Sequence, residues 1–164
     1  MILAVDPGSK KSGYATFTEE GALQQYGVCN GNPVTGLEEI HKIVKAAAPQ
    51  FLFIESQFFA PGRKSFGLLT LIESRCVWEV LCRLQGAEVK TVDPAVWQAY
   101  FRLRTDMTVS SKTERQKEFK QRIATMASCI IGKKVQENEA DAILIGYYSV
   151  FNLGKGSHWL RTSP

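Results

Sequence analysis

Three carboxylates stand where their surroundings make chemistry possible: Asp6, Glu55 and Asp141. Asp6 closes the run "ILAVD" and is followed at once by Pro7-Gly8; Glu55 closes "FLFIE"; Asp141 sits between two alanines in "EADAILIG". Ending an apolar run on a carboxylate costs desolvation unless a positive charge offsets it. Carboxylates gathered at one point repel one another, and the partner suited to several hard oxygens is Mg²⁺ or Mn²⁺. Taken singly, each residue has a second reading. Asp6 ahead of Pro-Gly also sets a turn, and Glu55 is also the exposed end of a strand. Asn138 with Asp141 three residues on also fits a helix start, with Asp141 in the first turn near the dipole.

For the three to meet, the elements that carry them must converge. Residues 1–6, 13–17 and 22–28 read as strands, the last two divided by the polar turn Glu19-Glu20-Gly21, which predicts an antiparallel meander. From Gly36 the period changes to a helical stripe of Leu37, Ile40, Ile43, Val44 and Ala47, stopped by Pro49. "QFLFIES" is a fourth strand. A long helix follows over 66–85, with an apolar face of Leu68, Leu69, Ile72, Val77, Leu81 and Leu84 and Gly86 at its C-cap. "AEVKTVD" is a fifth strand, and Asp93-Pro94 opens a short helix carrying Val96, Trp97 and Tyr100. After a loop over 102–111, Ser110 or Ser111 caps a basic helix, 112–131, and a last apolar helix begins at 138. The fold class expected is α/β of the ribonuclease H-like kind: a mixed five-stranded sheet, three antiparallel strands plus two parallel, flanked by helices. Right-handed crossovers place the fourth and fifth strands beside the first, and Asp6 and Glu55 at one sheet end.

At 164 residues the chain reads as one domain, 1–164, with enough length for a full core. A hydrophobic share of 45% and a charged share of 22% are those of an ordinary globular protein. The sequence carries no membrane-length apolar run and no secretory pattern, so a cytoplasmic or host-cell interior setting is expected. Cys29, Cys76, Cys82 and Cys129 lack metal-ligand spacing, and three lie in apolar patterns, which favours reduced buried thiols. The net charge of +4 is unevenly spread: residues 102–134 hold nine Lys or Arg against three Asp or Glu, a net of +6. A basic segment of this kind suits a polyanion, with a solvated helix face as the alternative.

The stretches "AVDPGSKKSGYATF", "FIESQFF" and "EADAILIG", in that order and spacing, resemble the RuvC-type Holliday junction resolvases, a family of ribonuclease H-like nucleases. The resemblance runs from residue 1 to about 153. It implies an endonuclease, working as a homodimer, that nicks opposed strands of a four-way DNA junction by metal-dependent phosphodiester hydrolysis. Asp6, Glu55 and Asp141 match three positions of the family's catalytic, metal-binding set, which holds two Mg²⁺ ions with Mn²⁺ as a substitute. The fourth position, usually Asp or His, is Asn138 here; its side-chain oxygen is a neutral ligand, and Glu137 is the nearby alternative. The helix 66–85 corresponds to the family's dimer face, and Phe58 to an aromatic set against junction bases. Arg63 and Lys64 fall in a basic loop near the DNA. Lys112 and Arg115, with Lys117 after them, match a segment that contacts the backbone, while Lys10 and Lys11 follow the Asp6 turn as phosphate contacts or as ordinary surface lysines.

The same carboxylates also suit a ribonuclease H-like nuclease acting on another branched DNA or on RNA–DNA hybrid. The uncharged Asn138 also suits a protein that binds junctions without cutting them. An actin-like phosphotransferase opens similarly but needs two such units, and this chain has one.

Overall fold

The computed structural model describes residues 1–56, 66–103 and 111–153. Among these, the elements are β1 (Ile2–Asp6), β2 (Lys11–Phe17), β3 (Leu23–Asn30), α1 (Leu37–Ala47), β4 (Phe51–Glu55), α2 (Phe66–Leu84), β5 (Glu88–Val92), α3 (Pro94–Tyr100), α4 (Lys112–Ile131) and α5 (Glu137–Asn152). Their order is the one expected, and so is the mixed sheet. β1, β2 and β3 form the antiparallel meander, and β4 and β5 add in parallel, giving the spatial order β3-β2-β1-β4-β5. β4 alone takes the place beside β1; β5 lies one strand further out, against β4.

Strand alternation sorts the apolar residues into two cores. Ile2, Ala4 and Phe53 point to one face with Trp97 of α3, Ile123 and Ala127 of α4, and Ile143 and Leu144 of α5. Leu3, Val5, Leu52 and Ile54 point to the other, with Ile40 and Val44 of α1 and Trp78 and Cys82 of α2. Central parallel strands covered on both faces explain why "ILAV" and "FLFI" read as unbroken apolar runs.

Three expectations are corrected. The inward line of α2 is Ser74, Trp78 and Cys82, all fully buried, while Leu69 and Leu84 of the expected apolar face are exposed. The helix is apolar on more than one side, so periodicity alone does not orient it. The cysteines are reduced as expected, but only Cys29 and Cys82 are buried; Cys76 and Cys129 are exposed. α5 begins one residue early: Gln136 is its N-cap, and Glu139 folds back so that its carboxylate accepts the Gln136 backbone N–H at 3.0 Å. Asn138 is therefore not the cap, and Asp141 lies in the second turn. The start of α4 agrees, with Ser111 accepting from Glu114 N, and the structure closes the helix on Gly132, at φ 73°.

Candidate active site

β1 and β4 run parallel in a register that pairs Val5 with Ile54, so the next residue on each strand is a carboxylate. By alternation Asp6 follows Ile2 and Ala4, and Glu55 follows Phe53, onto the face covered by α5. α5 packs across β1 and β2, and Asp141 on it lies near enough for its charge to act on Asp6 and for that of Glu55 to act on it. A glycine makes that approach possible. Gly13 is Asp6's partner on β2, and a Cβ there would stand 2.0 Å from the Asn138 carbonyl oxygen. The bare Cα lets the first turn of α5 lie directly on the strand next to Asp6.

The turn after Asp6 is tied down from the other face of the sheet. Gly8 N–H donates to Ser12 Oγ at 3.1 Å, and Ser74 Oγ donates to the Gly8 carbonyl at 3.2 Å. Both serines are buried. Ser74 thus looks like a surface residue in the α2 pattern but braces the backbone that carries Asp6.

The electrostatics are those of crowded acids, each of them half-buried. Burial raises the Asp6 pKa well above the usual carboxylate range, with the charges of Asp141 and Glu55 adding to it. Asp6 and Glu55 act on one another directly, and their interaction raises Asp6 while lowering Glu55. Burial also raises Glu55, against the opposing pull of the Trp97 and Asp6 hydrogen bonds, and Asp93 nearby raises it further. Asp141 is pushed up to about 7 by burial first and then by Glu55, with Lys120 opposing and Glu137 adding. Lys120 is the cation that offsets both Asp6 and Asp141.

Trp97 and Lys120 escaped the sequence reading. Trp97 Nε1 donates to Glu55 Oε1 at 2.9 Å, from a fully buried ring. The only signal for it was its place in the short helix opened by Asp93-Pro94. Lys120 was one of nine cations in a basic stretch, with nothing local to single it out.

Asn138 is exposed at the second position of α5, and Glu137 is exposed beside it. Lys10 is exposed on the turn after Asp6 and Lys11 at the start of β2; on α4, Lys112 and Lys117 are exposed and Arg115 is half-buried. Phe58, Arg63 and Lys64 lie outside the described residues. Among the described residues no three His, Cys, Asp or Glu side chains are arranged to hold a metal ion as they stand. The donor chemistry nonetheless fits a hard divalent cation: three carboxylates whose charges oppose one another, which a cation between them would offset.

No protein-family model and no curated protein matches the chain. Solved structures do. The chain is similar to Thermus thermophilus RuvC in complex with a Holliday junction substrate, at a TM-score of 0.68 and 17% identity, over 93% of this chain and 94% of that one. A second Thermus thermophilus RuvC structure gives a TM-score of 0.62 at 18% identity, over 94% and 96%. The yeast mitochondrial Holliday junction resolvase Ydc2 gives 0.54 at 14% identity, over 98% and 81%. The chain has the fold of the RuvC-type Holliday junction resolvases.

Proposed function

We propose that this protein is a structure-specific endodeoxyribonuclease that resolves four-way DNA junctions by metal-dependent phosphodiester hydrolysis. The observation that carries the reading is the meeting of Asp6, Glu55 and Asp141 on one face at the end of β1 and β4, with their repulsion offset by Lys120. An acidic cluster of this kind is costly to fold around and has a purpose as a cation site. The fold shared with junction-bound RuvC supports the choice of substrate.

In this reading Asp6, Glu55, Asp141 and the Asn138 side-chain oxygen are the catalytic, metal-binding residues, and they hold two Mg²⁺ ions, with Mn²⁺ as a substitute. When bound, such ions activate water at neutral pH and neutralise charge on the phosphate and the leaving oxygen. The chain's own residues do the rest. Ser74 and Ser12 keep the Asp6 turn rigid, and Trp97 orients Glu55. Lys120 adds positive charge where a phosphate would enter. Lys10, Lys11, Lys112, Arg115 and Lys117 hold the DNA backbone, with Phe58, Arg63 and Lys64 against the junction. Contacts of that kind are blind to sequence and sensitive to salt. A homodimer would set two such sites on opposed strands, and the exposed Leu69, Val80 and Leu84 on α2 support that face as the one that pairs.

The test uses end-labelled four-way junction, duplex and RNA–DNA hybrid with Mg²⁺, Mn²⁺ or EDTA, beside Asp6→Asn. Paired, symmetric junction nicks are expected only with metal. Asp6→Asn is expected to lose cleavage by about 10³-fold or more while junction binding persists. Binding without cleavage in every metal would replace the proposal with a non-cutting junction binder, and cleavage of hybrid alone would redirect the substrate.

A further inference from the structure

Glu55 differs from the other two carboxylates in how it is held. Its Oε1 accepts a 2.9 Å hydrogen bond from the Trp97 indole, a neutral donor that carries no charge to compete with a cation. Trp97 is fully buried among the residues that α3, α4 and α5 pack against the sheet. The start of α3 is pinned as well, because Asp93 caps it by accepting Ala95 N–H at 2.7 Å and Pro94 occupies its first position. The indole therefore has no room to swing with the carboxylate, and Glu55 cannot rotate without abandoning the bond to a fully buried ring. The indole occupies one lone pair of Oε1 and fixes the plane of the carboxylate, which leaves Oε2 as the oxygen free to turn to Asp6 or a cation.

That restriction bears on which cation fits. Mg²⁺ demands near-ideal octahedral geometry and takes carboxylates through single oxygens. Ca²⁺ is larger, takes six to eight ligands, and readily accepts a carboxylate through both oxygens. We propose that Trp97 is a positioning residue that confines Glu55 to one-oxygen binding and thereby favours Mg²⁺ over Ca²⁺. The proposal rests on the metal-dependent reading above and adds a residue that reaches the cation only through its ligand.

The experiment is calorimetric titration of the full-length protein with Mg²⁺ and, separately, Ca²⁺, for wild type, Trp97→Phe, and a chain with 3-benzothienylalanine at position 97. The last keeps the shape of the indole and replaces the N–H with sulfur, so it decides the matter if Trp97→Phe fails to fold. With the N–H gone, the ratio of Ca²⁺ to Mg²⁺ affinity is expected to rise by about tenfold, the scale on which partners behind a metal ligand act. A purely structural role for the ring would weaken both cations together and leave that ratio unchanged, which would overturn the assignment. Asp6→Asn separates the two levels of failure. If wild type binds neither cation and Asp6→Asn behaves the same, the metal-dependent reading falls and this proposal with it. If binding is lost in Asp6→Asn but the ratio is indifferent to position 97, the role of Trp97 alone is wrong.

Discussion

Without a cation, Asp6, Glu55 and Asp141 cannot all be ionised cheaply, and the proton they retain ties stability to pH. Each has its pKa raised by folding, so the folded chain binds protons more tightly than the unfolded one. Stability from such groups is complete below the unfolded value and is lost as pH climbs through the folded one. For Asp141 that window runs from 3.8 to about 7. In EDTA, the Tm is expected to fall by about 5 °C between pH 5 and pH 8, which corresponds to only one or two kcal/mol in a chain of this size. Mg²⁺ should raise the Tm more at pH 8 than at pH 5, and Asp141→Asn should flatten the EDTA profile. Thermal scans across that range check all three, and a profile indifferent to both pH and Mg²⁺ would remove the case for mutual repulsion. The carboxylates themselves were legible in the sequence because each follows or opens an apolar run. Lys120 and Trp97 were not, because nothing beside them along the chain marks what they face.

At the scale of elements, the site depends on how closely α5 lies on β2. A Cβ on Gly13 would sit 2.0 Å from the Asn138 carbonyl, which is backbone and cannot rotate aside. Gly13→Ala should therefore cost about 2–3 kcal/mol in a urea titration, the overpacking range, by pushing the start of α5 off the strand. Because Asp141 moves with that helix, junction cleavage is expected to fall further than the remaining folded fraction accounts for. An unchanged urea midpoint would mean that α5 has slack at this point. Element ends show where local sequence suffices. α4 has the bounds expected, 112–131: Ser111, one of the two serines expected there, caps its start, and the structure adds Gly132 in the left-handed region at its end. The face of α2 was misread because its inward line contains a serine, whose reason for being there is a carbonyl 66 residues away.

For the whole molecule, the misread face of α2 becomes informative. Leu69, Val80 and Leu84 are 61%, 54% and 78% exposed and fall on one side of the helix, an apolar stripe with no partner within the chain's described residues. If that stripe is the homodimer face, Val80→Asp should convert the protein to monomer in sedimentation velocity while leaving its thermal unfolding little changed. Paired nicks would give way to single, uncoupled ones. A dimer that persists in Val80→Asp would place the interface elsewhere.

Sequence alone determined the order of the elements, the mixed sheet and the three strand- or helix-borne carboxylates. These follow from periodicity, from turn and cap residues, and from the cost of ending an apolar run on a charge, all of which are local. Only the tertiary structure decided which side of α2 faces inward, that Ser74 braces the Asp6 turn, that Trp97 holds Glu55, and that Lys120 offsets the acids. Trp97 and Glu55 are 42 residues apart. Contacts of that span are set by how twisted strands and helices stack, and stacking leaves no period in the chain to read.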